Sequence, residues 1–472
     1  MTLYRRYAAE LESLIATAAL KPGERLDSVR EASRRRGFSE ATVVKAYHLL
    51  ETKGLIETRE RSGTFVCARR FDEVPQPAIS RPSPRSTSVD KSDLIFEVLD
   101  SARKPAVVPL GSAFPSPLLF PLARLQRSLA RGMRDLDPWR TVTDLTQGSL
   151  ELRRLLAVRY RRDGIDVSPD ELVITDGAME ALSLSLQAVT KPGDAVIIES
   201  PTFYVALQAL ERLGCKAIEA PTHPRDGVDV DALAALLARQ RPAACWLMPT
   251  FQNPLGALMP PAAKRALVEL LARHRVPLIE DDVYGELYYG ERRPPPAKAF
   301  DRTGNVLHCG SFSKCLAPGY RVGWVAAGPR ATTVQKLKLG STLTAALPSQ
   351  LALVDYLKGG GYDRHLRQLR EAFRSQRDAM IAAIRDAFPA GTRITRPEGG
   401  YFLWVELPRG IDALALHRAA LAESISVAPG ALFSVRDRFA NCLRINYGHP
   451  EDVRINRALR RLGALARDAA RD

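Results

Sequence analysis

Six short apolar runs punctuate the middle of the chain: LVIT (172–175), AVIIE (195–199), KAIEA (216–220), ACWLM (244–248), VPLIE (276–280) and VLHC (306–309). Most are separated by stretches with apolar residues at helical spacing. Strands that alternate with helices pair most readily side by side and in parallel, so the body is expected to be α/β with a largely parallel sheet. Such sheets collect their ligands at the C-terminal ends of the strands. After Ala345 the pattern changes to long helical stretches, then YFLWVEL and CLRIN with a helix between them. This predicts a smaller α+β domain at the C-terminal end.

Upstream of the body, residues 68–92 read ARRFDEVPQPAISRPSPRSTSVDKS. Rich in Pro, Ser and Arg and poor in large apolar residues, this run is expected to be a flexible tether. It divides residues 1–67 from a body over 93–472, with the large domain at about 105–345 and the small one at about 346–472.

The head reads as three helices and a hairpin. Tyr4, Tyr7, Ala8, Leu11, Leu14 and Ile15 fall near helical spacing, and the turn KPGERL follows. SVREASRRRGF forms a short second helix ending at Gly37, and Ser39 is placed to cap a third, EATVVKAYHLLETKG. IETRERSGTFV then reads as two strands around Ser62-Gly63. This is a winged helix-turn-helix, whose third helix can enter the major groove of double-stranded DNA. Ser39, Thr42 and Lys45 start that helix, Arg30 lies on the preceding one, and Arg59, Arg61 and Gly63 belong to the wing. Residues 1–70 hold 14 Lys+Arg against 9 Asp+Glu, and the whole chain carries +15, which favours an anionic partner.

The 472 residues are 46% apolar, enough for large cores. Six scattered cysteines form no CxxC pair, so neither a metal centre nor a disulfide framework is expected. No apolar run approaches the ~20 residues needed to span a bilayer, and MTLYRRYAAELE lacks a signal-peptide core. A soluble cytoplasmic protein is expected.

The body sets Lys314 in SFSKCLAPGYR (311–321), among serines, a proline and a glycine. A lysine amine condenses with aldehydes once its pKa falls below the ordinary ~10.4. Pyridoxal 5′-phosphate (PLP) is such an aldehyde. It also asks for a phosphate cradle, a carboxylate at its pyridine nitrogen, donors at its 3′ oxygen and an aromatic neighbour. The chain offers these in order. ITDGAMEAL opens a helix at Gly177, Ala178 and Met179, SPTFY supplies Phe203, and FQNPLG supplies Asn253. EDDVYGELYY supplies Asp281 and Tyr284, and SFSK…GYR supplies Ser311, Ser313, Lys314 and Arg321.

Two resemblances follow. PGERLDSVREASRRRGFSEATVVKAYHLLETKGLIETRERSGTFV resembles the GntR-family DNA-binding domain, with Asp27 where that family often has Pro and Glu40 where it often has a basic residue. The body, from about Pro105 to Leu465, resembles fold-type I PLP enzymes of the aminotransferase class. That resemblance implies that Lys314 binds the cofactor covalently and that Asp281 pairs with the ring nitrogen. It implies Asn253 and Tyr284 at the 3′ oxygen, Phe203 stacked on the ring, and Ser311, Ser313, Arg321 and the backbone at Ala178 and Met179 on the phosphate. Arg444, in NCLRINYGH, matches the arginine that grips an α-carboxylate. Relatives carry a tyrosine before the QG-x-x-x-LR motif, whereas TVTDLTQGSLELRR has only Thr141 and Thr143 there. The whole chain resembles the MocR/GabR subfamily of bacterial regulators. This implies a homodimer that binds DNA and PLP and responds to an amino-acid-like or amine effector. A working aminotransferase with an appended head is the alternative.

Overall fold

The structure is a computed structural model. It describes residues 3–16, 20, 23–52, 55–59, 62–67, 74–101, 104, 106–436, 438–450 and 452–470. Two compact units result, Met1–Pro75 and Gln76–Asp472.

In the first unit, α1 (Leu3–Ala16), α2 (Val29–Arg36) and α3 (Glu40–Thr52) precede a hairpin of β1 (Ile56–Arg59) and β2 (Gly63–Val66). The expected periodicity buries Tyr7, Ala8, Leu11 and Ile15 of α1 against Ala32, Val43, Ala46 and Leu50. Ser28 and Glu31 form a reciprocal capping box on α2, and Gly37 ends it at φ 68°, a left-handed conformation that glycine adopts without penalty. Ser39 Oγ accepts from Thr42 N at 3.3 Å, capping α3 as expected. KPGERL is more than the turn read from sequence. Leu26 N donates to Thr64 O at 2.8 Å and Val66 N to Glu24 O at 2.8 Å, so residues 24–26 extend the wing beside β2.

The second unit is built on a large sheet. Its strands are β3 (Thr87–Ser88), β4 (Leu172–Asp176), β5 (Ala195–Ser200), β6 (Lys216–His223), β7 (Gly227–Val228), β8 (Ala244–Leu247), β9 (Leu278–Asp281), β10 (Val306–Ser311) and β11 (Val322–Ala326). The order among the described residues is β3-β6-β5-β8-β9-β10-β11-β4, with β7 on β6. The five strands from β6 to β10 in that order run parallel, whereas β11 is antiparallel to both β10 and β4. The parallel core matches the apolar runs. The return strand β11, VGWVA, went unread because only a single 3-10 turn, Pro318–Tyr320, separates it from the Lys314 loop. A second sheet has the order β12 (Arg393–Ile394), β13 (Phe402–Glu406), β15 (Cys442–Asn446), β14 (Ala428–Pro429), antiparallel throughout.

The boundaries differ from the sequence reading in three places. The tether expected over 68–92 falls partly on 68–73, outside the described residues. Further along it is held to the body. Thr222 N donates to Ser80 Oγ at 2.9 Å, Thr87–Ser88 pair with β6, Val89 is buried, and Lys91 N donates to Glu211 at 2.9 Å. The sheet edge satisfies a backbone that composition alone left without partners. Second, residues 107–116, placed in the large domain, line the small sheet: Val108 N donates to Ser424 O and Asn446 N to Leu110 O. Third, the helix Leu347–Lys358, read as the start of the small domain, is tied to the helix Leu122–Arg134 by an Arg131–Asp355 ion pair at 2.6 Å. Among the described residues no helix is long and apolar enough to cross a membrane.

Candidate functional site

Asp281 is the last residue of β9, and its side chain is buried. Its Oδ1 has no hydrogen-bond partner. Burial pushes its pKa up to about 7, with Asp282 adding repulsion and Lys314 opposing. Because successive strand residues face opposite sides, Asp282 points the other way, into Arg293 and His308. Oδ1 of both aspartates is without a partner, but only Asp281 is free of a charged side-chain partner.

Lys314 follows β10, and its Nζ donates to Ala113 O at 2.9 Å and lies 3.9 Å from the centre of the Phe114 ring. Burial lowers its pKa to about 7, reinforced by the charges of Arg444 and Arg321 and opposed by Asp281. An amine so poised is largely neutral just above pH 7 and able to attack a carbonyl carbon.

The serines and the arginine expected at a phosphate group lie beside it. Ser311 Oγ donates to Ser313 Oγ at 2.9 Å, and Arg321 Nη1 donates to Ser313 Oγ at 3.3 Å. Arg321 sits at φ 51°, a strained conformation for a side-chain-bearing residue, and its Nη2 reaches Asp176 O at 3.1 Å. Gly177 starts the helix Ala178–Val189 with no side-chain cap. A Cβ on Gly177 would stand 2.3 Å from Arg321 Nη2, so only glycine lets the guanidinium approach this helix N-terminus. Met179 is partly buried in the core behind.

Asn253, fully buried, joins two other expected residues. Its Nδ2 donates to the Tyr284 hydroxyl at 3.3 Å, and its Oδ1 accepts from Arg444 Nη1 at 3.1 Å. Arg444 is wholly buried in β15, donates through Nη2 to Gly111 O at 2.7 Å, and keeps Nε without a partner. The Phe402 ring lies 4.3 Å from its guanidinium carbon. Phe203 packs on Tyr204 at 4.9 Å, and Tyr204 in turn lies 5.8 Å from the guanidinium. Thr141 and Thr143 spend their hydroxyls on Pro138 O and Trp139 O, within their own turn.

The sequence reading missed the strap 111–114, whose carbonyls and Phe114 ring meet both Arg444 and Lys314. GSAFP reads as an ordinary loop, and its partners lie far along the chain. It also missed Glu199, a buried carboxyl at the end of β5. Glu199 accepts from Met248 N at 2.9 Å, and burial raises its pKa to about 8.

In the head, Arg30 and Lys45 are exposed, and Ser39 and Thr42 share a hydrogen bond at 2.9 Å at the start of α3. Arg59 is held by Glu57 at 2.6 Å and lies over Phe65. Arg61 lies outside the described residues. Gly63, at φ 107°, leaves room for Arg25, whose Nε would be 2.8 Å from a Cβ there. Arg25 is thus a further exposed cation of the wing, hidden in the sequence within KPGERL.

The residues fit PLP. A buried acid with an unpartnered oxygen, a lysine near neutrality, and a glycine–arginine–serine cradle are what its ring nitrogen, aldehyde and phosphate require. A winged helix-turn-helix unit and a fold-type I body with this lysine site define a class of two-part proteins. Two families match: bacterial regulatory proteins of the gntR family over residues 3–66, and aminotransferase class I and II over residues 129–462. The chain belongs to the aminotransferase class I and II family, in the MocR-type branch of helix-turn-helix transcriptional regulators that join it to a gntR-family head. It is 47% identical to the uncharacterized HTH-type transcriptional regulator YdcR of Escherichia coli K12, over 99% of this chain and 100% of that one. It is 34% identical to the 2-aminoadipate transaminase of Thermus thermophilus, over 79% of this chain and 93% of the relative. The multiple substrate aminotransferase of Thermococcus profundus superposes with a TM-score of 0.74 at 30% identity, covering 81% of this chain and 96% of that one. PLP dependence is the family's chemistry.

Proposed function

We propose that this regulator binds double-stranded DNA through its head, holds PLP at Lys314, and changes its DNA affinity when an amino-acid-like amine enters the body. The observation that carries the reading is a lysine of lowered pKa, Lys314, within electrostatic reach of the buried Asp281, whose Oδ1 is unpartnered, in a chain that also bears a winged helix-turn-helix. PLP, when bound, supplies an aldehyde that condenses with amines and a ring that withdraws electrons. Lys314 is the residue that would hold it covalently, and its pKa, lowered to about 7, leaves a large share of the attacking nitrogen unprotonated at neutral pH. Asp281 would hold the proton on the ring nitrogen, and Asn253 and Tyr284 would bond the 3′ oxygen. Ser311, Ser313, Arg321 and the N–H groups at Ala178 and Met179 would bind the phosphate, while Phe203 would stack on the ring. Arg444 would exchange Gly111 O for the ligand's carboxylate, which its fork grips at two points.

Two copies are the proposed working unit. Trp139 (74% exposed), Val142, Leu145, Leu339 and Leu343 are exposed, and the Thr344 Oγ1 bond to Asp144 O at 3.0 Å brings the segments that carry Leu145 and Leu343 together. So much exposed apolar surface in one region favours burial against a second copy. A cytoplasmic location follows from the DNA target.

DNA selected from a random pool, tested with and without PLP and candidate amino acids, checks the reading. Affinity that shifts with the amine only when PLP is present supports it, and indifference to both overturns it. The complete Lys314, Asp281, Asn253, Tyr284 and Arg444 set also supports a second reading, transamination. Here Lys314 would move the α proton as a base. Multiple turnovers with an amino acid and a keto acid would favour that reading.

A further inference from the structure

A second basic pocket on the body shares no lining residue with the Lys314 site. It is open to solvent, holds about 270 Å3 and is lined by Arg124, Arg127, Arg131 and Arg364, with Ser128 and Gly359–Gly361 among the other walls. Three of the arginines share one face of the helix Leu122–Arg134, at spacings of three and four residues. The single carboxylate in the lining, Asp355, is already gripped by Arg131, whose Nε and Nη2 donate to it at 3.0 and 2.6 Å. Among the described residues, neither Arg127 nor Arg364 has a carboxylate within ion-pair distance. The fully buried Ser128 accepts from Arg131 Nη2 at 3.3 Å.

Asp355 answers only Arg131, so the exposed Arg124, Arg127 and Arg364 present positive charge to the pocket with no other carboxylate among its walls to balance them. The wall supplied by Gly359–Gly361 also favours an anion. The helix Gly361–Ala387 begins there without a side-chain cap, and Gly360 turns at φ 66°. Asp363, the acid of its first turn, is bound to Arg159 at 3.0 Å and does not cap it. We propose that this cavity is a binding site for a small phosphorylated ligand, distinct from the cofactor cradle at Arg321. Arginine forks match phosphate oxygens in pairs, and the cavity suits a compact diphosphate or phosphate ester. The concave form favours a small molecule over a DNA backbone. The same helix reaches the cofactor loop: the Tyr362 hydroxyl lies 3.2 Å from Cys315 Sγ, and His365 Nε2 lies 2.8 Å from Cys315 O.

Titration calorimetry of the full chain with pyrophosphate tests the proposal. Binding should persist in Arg321→Ala and weaken at least tenfold in Arg127→Ala/Arg364→Ala. The charge reversal Arg127→Glu should weaken it as well, should the double variant fold poorly. Unchanged binding in these variants, or heats no larger than those of sodium chloride at matched ionic strength, would overturn the proposal. So would a result in which the double variant loses affinity for a random-sequence duplex while wild type binds no pyrophosphate. The arginines would then serve the DNA backbone.

Discussion

Asp281 and Asp282 are adjacent in the chain and differ in what binds them. Asp282 Oδ2 accepts from Arg293 Nη2 at 2.5 Å and meets His308 Nε2 at 3.1 Å, whereas Asp281 is met only by the backbone N–H of Val283, and Oδ1 of each has no hydrogen-bond partner. One carboxylate is tied to charged side chains of the scaffold, and the other is not.

This contrast predicts opposite outcomes for the same change. Asp282→Asn removes the buried partner of Arg293 Nη2, with Asp163 still bound to Nη1 at 2.8 Å, and should cost roughly 1.5–3 kcal/mol, read by chemical denaturation. Asp281→Asn should instead stabilise the cofactor-free protein at pH 8. The folded pKa of Asp281 is raised to about 7, so its contribution is fully present below its unfolded value and is lost as pH rises toward 7. Asparagine does not ionise, so the gap in Tm between variant and wild type should be small at pH 4 and widest above pH 7. PLP affinity should fall at least tenfold in the same variant.

Lys314 sets the pH dependence of cofactor capture. With its pKa lowered to about 7, the rate of PLP incorporation should rise with pH up to about 7 and then level. An ordinary lysine would keep gaining rate to about pH 10. Borohydride trapping followed by mass spectrometry should place the adduct on Lys314, and Lys314→Ala should abolish it. An adduct elsewhere would remove the site from consideration.

Arg444→Gln should leave PLP bound and weaken the response to amino acids by roughly ten- to a hundredfold, because the bidentate grip on the carboxylate is lost. An amine without a carboxylate should respond equally in both proteins. The readout is a spectroscopic titration of the PLP-loaded chain.

In the head, Lys45→Ala should reduce DNA affinity across sequences and flatten the salt dependence by about one unit of log–log slope, as loss of one phosphate contact requires. Arg30→Ala should act similarly, and neither should alter the cofactor spectrum. Ser28→Ala removes the capping box of α2 and should cost about 1 kcal/mol of stability in the head.

The parallel core of the body was legible because buried parallel strands must be continuously apolar, and all six runs became strands. The candidate residues at strand ends stood out because each motif carries its own chemistry, and Asn253, Tyr284 and Arg444, far apart in the chain, share one hydrogen-bonded cluster. Distant pairings left no such trace. The strand VGWVA lacked the helix that would have announced it. Ser80, Thr87 and Val89 gained their partners from β6 and the neighbouring core, which nothing in a Pro- and Ser-rich run could signal. Arg25 was hidden because the backbone of residues 24–26 matters more than their side chains.

Gly111 and Ala113 give their carbonyls to Arg444 and Lys314, so one short loop occupies both cations of the cleft at once. On the proposed reading the cofactor claims the lysine, and the guanidinium is left holding Gly111 O. A newcomer without a carboxylate would leave Arg444 nothing better than the carbonyl it already has. One that carries a carboxylate would offer it a stronger partner, so discrimination would begin with the loop that is displaced, before any covalent bond is made.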